Sequence, residues 1–287
     1  MCDSPFIAIK RGEYVKGKVY NHDVKVPCGK CPVCLRRRVN DWVFRLTQEE
    51  KEHQTAFFIT LTYDNWHIPI SKNNFMTLKK ADLQKFWKRL RKRNINKIKY
   101  YACGEYGGKT KRPHYHAIAF GIDSIDFIFD SWTLGRVHVG NVTNKSIAYC
   151  CKYIDKGKTV PMHARDDRIK EFSVQSQNLG INYLTKSIKN YYGKDYKRYH
   201  VIRDGYKHPL PRYYRKQLTK LGIYSEEIKR LQTDWIQKTV ANNDSIAEQS
   251  FNSLHWNDPE DYQTYKSKRR IARALKHNRD LKNRDKI

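Results

Sequence analysis

No stretch of about 18 apolar residues occurs in the 287-residue chain, so the sequence offers no membrane-spanning helix. The opening segment, MCDSPFIAIKRGEY, lacks the apolar core of a secretory signal peptide. The chain is therefore expected to stay in the cytoplasm where it is made. Seven cysteines in that compartment argue against a disulfide framework. No internal repeat is visible. Acidic residues are scarce: 29 Asp and Glu stand against 57 Lys and Arg, a formal net charge of +28. Mean hydropathy is −0.85, which is polar but still compatible with a folded core.

What the chain does contain is positive charge interleaved with flat rings. A charge excess of this size builds a field that attracts a polyanion. Aromatic residues make up 13% of the chain, 20 of them Tyr. Bases stack on such rings while phosphates meet Lys and Arg, a mixture that suits single-stranded nucleic acid. A ribosomal or structural RNA-binding protein would share this charge, so charge alone assigns no activity.

The first 34 residues read as a loop punctuated by Gly, Pro and Cys. LRRRVNDWVFRLTQEEKEHQ (35–54) spaces Leu35, Val39, Trp42, Val43 and Leu46 as one helical face. AFFITLTYDN (56–65) reads as a buried strand. KKADLQKFWKRLRKRN (79–94) is a basic amphipathic helix with Leu83, Phe86, Trp87 and Leu90 on its apolar stripe. NKIKYYACGEYG (96–107) and RPHYHAIAFG (112–121) read as a hairpin joined by a Gly-rich turn. A helix over 124–135, capped by Ser124 and stopped by Gly135, a strand over 136–143 and a helix over 144–157 follow. This order predicts an α+β fold of ferredoxin- or RRM-like βαββαβ type. Its central antiparallel sheet is flanked by helices, with the crossover helices on one face. Beyond 158, LGINYLTKSIKNYY predicts a helix, and YHVIRDGYKHPLPRYYRKQL a hairpin entering another. A helical, cationic C-terminal extension completes the chain, as a solvated helix or a DNA-contacting arm. The expected division is 1–54 (Cys-containing segment and helix), 55–160 (core), 161–224 (accessory segment) and 225–287 (basic helical extension).

KRPHYHAIAF (111–120) puts two histidines at i and i+2. On a strand, His114 and His116 point the same way while Tyr115 points the other. With Lys109 and Thr110 at the hairpin tip, Glu105 lies across from His114, on the face of both histidines. Two neutral imidazoles and a carboxylate form an open site for a divalent metal. The mixture of oxygen and nitrogen suits Mn2+ or Mg2+, and Zn2+ would also bind. Asp64 or His138 is the alternative third ligand, and a half-exposed polar strand face is the bland reading.

YCCKY places Tyr149 and Tyr153 one helical turn apart, with Lys152 and Lys156 close by. A tyrosine hydroxyl can attack a phosphodiester and form a covalent phosphotyrosine. A metal on the scissile phosphate neutralises developing charge, and a lysine beside the tyrosine does the same electrostatically. Helix packing is the ordinary alternative for such a pair.

Three motifs in fixed order, FITLTYDN, a His-x-His strand and a Tyr-x-x-x-Tyr-x-x-Lys helix, resemble those of the HUH endonucleases that initiate rolling-circle replication. GEYG…RPHYHAIAFG and the paired tyrosines look most like the initiators of microviruses, and among these the gokushovirus type. MCDSP, VPCGKCPVC and DGYKHPLPRYYRKQL match further parts of that pattern, so the resemblance covers about residues 1–218. It implies an HUH core that nicks single-stranded DNA at a phage origin and rejoins strands. His114, His116 and Glu105 would be metal ligands, Tyr149 and Tyr153 the nucleophiles, and Lys152 or Lys156 an electrostatic helper. It implies the cytoplasm of a bacterial host, with the host helicase and polymerase as partners. The residue between the histidines is Tyr115, whose ring body is still apolar.

Cys28, Cys31 and Cys34 leave zinc's fourth position open, and Cys2 could fold back to complete a structural Zn2+ site. An iron–sulfur centre and unligated thiols are the alternatives, while Cys103, Cys150 and Cys151 read as apolar fillers. DNA-contact candidates are Lys85, Lys88, Arg89, Arg91, Lys92 and Arg93 on the basic helix, with Arg212 and Arg215 later; the alternative is a solvated face. Rival functions are an HUH transposase or relaxase, a non-catalytic basic single-stranded nucleic-acid-binding protein, and a cupin-type small-molecule metalloenzyme. The charge disfavours the last.

Overall fold

The alternation in AFFITLTY gives its strand two covered faces, and the fold is built outward from it. The computed structural model describes residues 2–3, 5–10, 14–15, 18–19, 22–155, 160–203, 205–254 and 261–284. The N-terminal stretch is not a bare loop. Strands β1 (Phe6–Lys10) and β4 (His22–Val26) pair antiparallel, enclosing a short pair, β2 (Tyr14–Val15) and β3 (Lys18–Val19). Apolar and polar residues alternate in FIAIK, a two-residue period that the Gly and Pro punctuation masks.

Helix α1 (Pro32–Glu50) starts with Pro at its first turn, three residues before the expected helix. The core follows as β5 (Ala56–Tyr63), α2 (Lys80–Arg93), β6 (Lys99–Tyr106), β7 (Pro113–Phe120), α3 (Asp126–Ser131), β8 (Gly135–Asn141) and α4 (Asn144–Asp155). A further strand, β9 (Phe172–Gln175), was not legible in the sequence. It adds to the free edge of β6, giving the five-stranded antiparallel order β8-β5-β7-β6-β9. Without β9 the order is that of a ferredoxin-like βαββαβ sheet. Helix α3 is shorter than expected because Trp132 leaves it to pack in the core and donate Nε1–H to the Thr62 carbonyl at 3.2 Å.

The two sheet faces carry different layers. Ile59, Leu61, Tyr63, Tyr115 and Ala117 face α2 and α3, which contribute Leu83, Phe86, Trp87, Leu90 and Ile128. Ile118, Phe120 and Tyr101 face α1 and α4, with Leu46, Ile147, Cys150 and Cys151. The crossover helices thus share one face as expected, and α1 with α4 covers the other.

After the 3-10 turn Ile181–Tyr183 come α5 (Lys186–Lys194), the hairpin β10 (His200–Arg203) and β11 (Tyr206–Pro209), and α6 (Arg212–Lys220). The helix expected through 180–192 begins only at Lys186, because Thr185 caps it by accepting from the Ile188 N–H at 3.3 Å. This region buries Leu184, Tyr192, Val201, Leu210, Tyr214 and Leu218 around Phe44 of α1. Two long helices end the chain, α7 (Glu226–Leu254) and α8 (Tyr262–Arg284).

Glu49 fastens α1 to its surroundings. Fully buried, its carboxylate accepts from Lys99 Nζ at 2.7 Å, pairs with His53 Nε2 at 2.8 Å and accepts from the Gly180 N–H at 2.6 Å. Burial alone would push this carboxyl up, but these donors hold it below the usual range.

Gly135 opens β8 at φ +151°, and a Cβ there would collide with the backbone of Thr62 and Asp64. A Cβ on Gly140 of the same strand would meet only Phe58, at 4.0 Å. Gly135→Ala is expected to destabilise by about 1–3 kcal/mol, with Gly140→Ala near neutral. Denaturant melts of both variants check this, and equal stability would refute the β5–β8 register.

Candidate metal and nucleophile centre

The hairpin register decides the site. β6 and β7 pair with Glu105 opposite His114 and Cys103 opposite His116. β7 pairs on its other side with β5, setting Thr60 opposite His116 and Thr62 opposite His114. Glu105, His114, His116, Thr60 and Thr62 therefore share the face that α1 and α4 cover. Tyr115 points into the opposite layer, fully buried, where its hydroxyl donates to the Lys79 carbonyl and accepts from the Lys79 N–H, both at 3.0 Å.

Nε2 of His114 lies 2.7 Å and Nε2 of His116 3.0 Å from the same Glu105 oxygen, Oε1. His114 Nδ1 lies 3.1 Å from the Arg112 carbonyl, which can only accept, so Nδ1 carries the proton. In the neutral ring Nε2 is then a lone pair aimed at a carboxylate oxygen. Two acceptors at 2.7 Å require a cation between or beside them, a proton or a metal. His116 Nδ1 is held by Thr60 Oγ1 at 2.9 Å, which likewise turns its Nε2 toward the cluster. Glu105 Oε2 is buried with no hydrogen bond among the described residues. An octahedral ion with bonds of about 2.1 Å has neighbouring ligands about 3 Å apart, the spacing seen here. These residues fit a divalent metal.

Burial pushes the Glu105 carboxyl up, but hydrogen bonds from His114 and His116 and their charge outweigh it, leaving the group below its ordinary value. Burial pushes His116 down, against the pull of Glu105, so the ring stays neutral more readily.

The nucleophile helix packs through Ile147, Cys150 and Cys151, all fully buried. That seating presents Tyr149 at the site, 39% exposed. Its ring lies edge-on to His116 at 5.2 Å between centroids and to Phe58 at 6.0 Å. Tyr153 follows one turn later on α4. The side chains of Lys152 and Tyr153, and the whole of Lys156, lie outside the described residues.

Neither Asp64 nor His138 joins the cluster. Asp64 pairs with His67 at 2.8 Å in an exposed loop. His138 sits on β8, opposite Thr60 and so two strands from His116. The basic-helix candidates lie elsewhere too. Lys85, Lys88, Arg91, Lys92 and Arg93 are exposed on α2, across the sheet from the triad. Arg89 is half-buried, donating Nε–H to the Ser131 carbonyl at 2.8 Å. Arg212 is exposed at the start of α6, while Arg215 is half-buried there, its charge disfavoured by burial near Arg37 and Asp41.

Sequence reading missed Thr60, Phe58 and a cavity beside the triad. Phe58 stacks on His116 at 5.6 Å between ring centroids. The cavity, about 450 Å3, is lined by Thr62, Tyr63, Asp64, Asn65, Trp66, Arg112 and Arg136. Trp66 is 94% exposed, and Arg136 stands opposite Thr62 on the site face. The alternation of FFITLTY could have put Phe58, Thr60 and Thr62 on one face. That β5 neighbours β7 is a long-range fact.

A second cluster gathers Cys2, Cys28, Cys31 and Cys34, whose sulfurs all lie within 4.8 Å of one another. The N–H groups of Lys30 and Cys31 lower the Cys28 thiol to about 6, while burial pushes Cys34 up to about 12. Cys103, Cys150 and Cys151 are buried as fillers.

An antiparallel α+β core with a His/His/Glu cluster under a tyrosine-bearing helix defines the class of protein. Residues 56–158 match the family model of the replication-associated protein ORF2. The chain is 29% identical over 214 residues to Replication-associated protein VP4 of Bdellovibrio phage phiMH2K, covering 66% of this chain and 65% of that protein. It is 28% identical over 233 residues to Replication-associated protein ORF4 of Chlamydia phage 1, covering 70% and 56%. It is 25% identical over 282 residues to Replication-associated protein ORF2 of Spiroplasma virus 4, covering 85% and 88%. The match thus spans less than two thirds of the length of the first two relatives. No solved structure matches. These likenesses bear out the resemblance to microvirus-type replication initiators. No helix among the described residues is long and apolar enough to cross a membrane.

Glu105 and His116 both titrate lower in the folded chain than unfolded. Each contributes stability that is complete above its unfolded value and is lost as pH falls through its folded one. Metal-free protein should therefore lose stability below about pH 6.5 through His116 and further below about pH 4.3 through Glu105. Glu105→Gln combined with His116→Gln should flatten that limb in denaturant melts across pH 7 to pH 4.

Proposed function

We propose that the chain is a replication initiator that nicks single-stranded DNA at a phage origin through a tyrosine nucleophile. The observation that carries this reading is the convergence of Glu105, His114 and His116 on one point, with the Tyr149 ring 5.2 Å from His116. Glu105, His114 and His116 would hold Mn2+ or Mg2+, which when bound neutralises charge on the scissile phosphate. A tyrosine Oη attacks phosphorus, the P–O3′ bond breaks, and the departing O3′ takes up a proton. The 5′ end stays as a phosphotyrosine, which conserves the bond energy for a later attack by a free 3′-hydroxyl. The second strand transfer of rolling-circle copying needs another nucleophile while the first is occupied, and Tyr153 is one turn from Tyr149. Lys152 and Lys156 are the proposed electrostatic helpers.

The strand enters along the cavity beside the triad. Trp66 offers a stacking face, and Arg136 and Arg112 offer charge to phosphates. The cations of α2 lie across the sheet and contribute long-range attraction rather than contact at the cut. A host helicase and polymerase would extend and unwind from the released 3′ end. The cysteine cluster takes no part in this chemistry and, we infer, holds a structural Zn2+.

Incubation with Mn2+ and a labelled origin oligonucleotide should give a covalent protein–DNA band on a denaturing gel. His114→Ala and His116→Ala should each lower its yield about 100-fold or more. Tyr149→Phe and Tyr153→Phe should each retain some adduct, and the double variant none. Undiminished adduct in the double variant would overturn the nucleophile assignment.

Trp66→Ala should weaken single-stranded DNA binding by about 1–3 kcal/mol, read by fluorescence anisotropy at fixed salt. An unchanged affinity would place the strand elsewhere.

A further inference from the structure

The proposed strand transfer makes no use of the four cysteines, yet they form a built site. Cys2 Sγ and Cys31 Sγ lie 3.8 Å apart. A tetrahedral zinc with Zn–S bonds of about 2.3 Å sets its sulfurs about 3.8 Å from one another. A disulfide would require about 2.05 Å. Sulfurs that all lie within 4.8 Å of one another leave room for one ion and not for a cluster.

The backbone around these sulfurs is arranged for thiolates. Cys28 Sγ accepts from the N–H of Lys30 at 3.4 Å and of Cys31 at 3.2 Å. Cys2 Sγ accepts from the Cys28 N–H at 3.2 Å, and Cys31 Sγ from the Asp3 N–H at 3.4 Å. Such N–H donors disperse the negative charge that four thiolates bring to a dication. Gly29 makes the tight Cys-Gly-Lys-Cys turn at φ +71°, where a side chain would be strained. Pro32 then starts α1, so Cys34 falls in its first turn, three residues after Cys31.

We propose that Cys2, Cys28, Cys31 and Cys34 hold one zinc ion as a closed tetrathiolate, and that this ion fixes Asp3 as the docking point for helix α8. Asp3 is the link. Its N–H bonds to the Cys31 sulfur, its carbonyl accepts from Arg270 Nη1 at 2.9 Å, and its carboxylate accepts from Arg273 Nη2 at 2.9 Å. The ion would thus join the N-terminal segment, the start of α1 and the C-terminal basic helix. With four protein ligands no position is left for water or substrate, so its role is structural.

Full-length protein purified without added metal should carry one zinc per chain that survives dialysis against EDTA. Titration with p-hydroxymercuribenzoate should release it in step with four thiols. Replacing it with Co2+ should give the intense visible absorption and charge-transfer bands of tetrahedral thiolate. Cys31→Ser should lose the zinc, while Cys34→His should keep it. The doubly substituted His114→Ala, His116→Ala protein should also keep it, which separates this site from the triad. Asp3→Ala should keep zinc but speed amide exchange in α8 several-fold, with β5–β8 unchanged. Four thiols that titrate with no metal released, iron with inorganic sulfide, or disulfides in freshly purified protein would overturn the zinc assignment. Unaltered α8 exchange in Asp3→Ala would overturn the docking role. If Cys31→Ser fails to fold, the metal and thiol stoichiometry of the wild-type chain still decides the zinc question.

Discussion

The pairing register of β6 with β7 is the constraint on which the centre depends. Side chains alternate with a period of two, so a slip of one residue would send Glu105 to the α2 side while both histidines stayed with α4. The register is held from the layer that the chemistry does not use. Tyr115 is locked between Lys79 and Tyr63, whose hydroxyl lies 2.8 Å away and also donates to Asp82 Oδ2 at 3.1 Å. A packed polar network on one side of the sheet therefore positions an open, ligand-rich one on the other. The tyrosine between the two histidines is part of that lock.

Burial and charge are balanced differently in the two layers. Behind the sheet the rings of Phe86, Trp87 and Tyr100 stack on each other, with Trp87 and Tyr100 3.9 Å apart and nearly parallel. In front, a carboxylate and two imidazoles gather where only partial solvation is available. Such a group of acceptors is stable only if positive charge accompanies it. Glu49 shows the alternative resolution in the same layer: an equally buried carboxylate that finds a lysine, a histidine and a backbone N–H within the chain. Among the described residues Glu105 finds only the two imidazoles, and one of its oxygens finds nothing. That contrast marks one site as self-contained and the other as built for something the chain does not itself supply.

Much of this was legible from local pattern. The His-x-His spacing, the hairpin around Gly107 to Lys111, the opposition of Glu105 and His114, and the helix bearing Tyr149 all rest on short-range periodicity, and the structure brings them together. What escaped depends on contacts distant in sequence. β9 is four residues long and becomes a strand by joining the edge of β6. Thr60 orients His116 across 56 residues of chain. The basic stripe of α2 was readable as a stripe, but its side of the sheet was not, since nothing within residues 80–93 records which face the helix covers. The N-terminal strands were hidden because Gly, Pro and Cys punctuation outweighed a five-residue alternation.

The contact of Asp3 with Arg270 and Arg273 closes a loop of more than 260 residues. Loop-closure entropy grows only slowly with length, so such a contact is no great burden on stability, but it cannot form early. The sheet and its hairpins can assemble from local pairings while α8 is still unmade or unattached. Docking of α8 would then be the last event in folding and the first undone in partial opening. A strongly cationic helix tethered in this way can leave the body of the protein without disturbing the sheet.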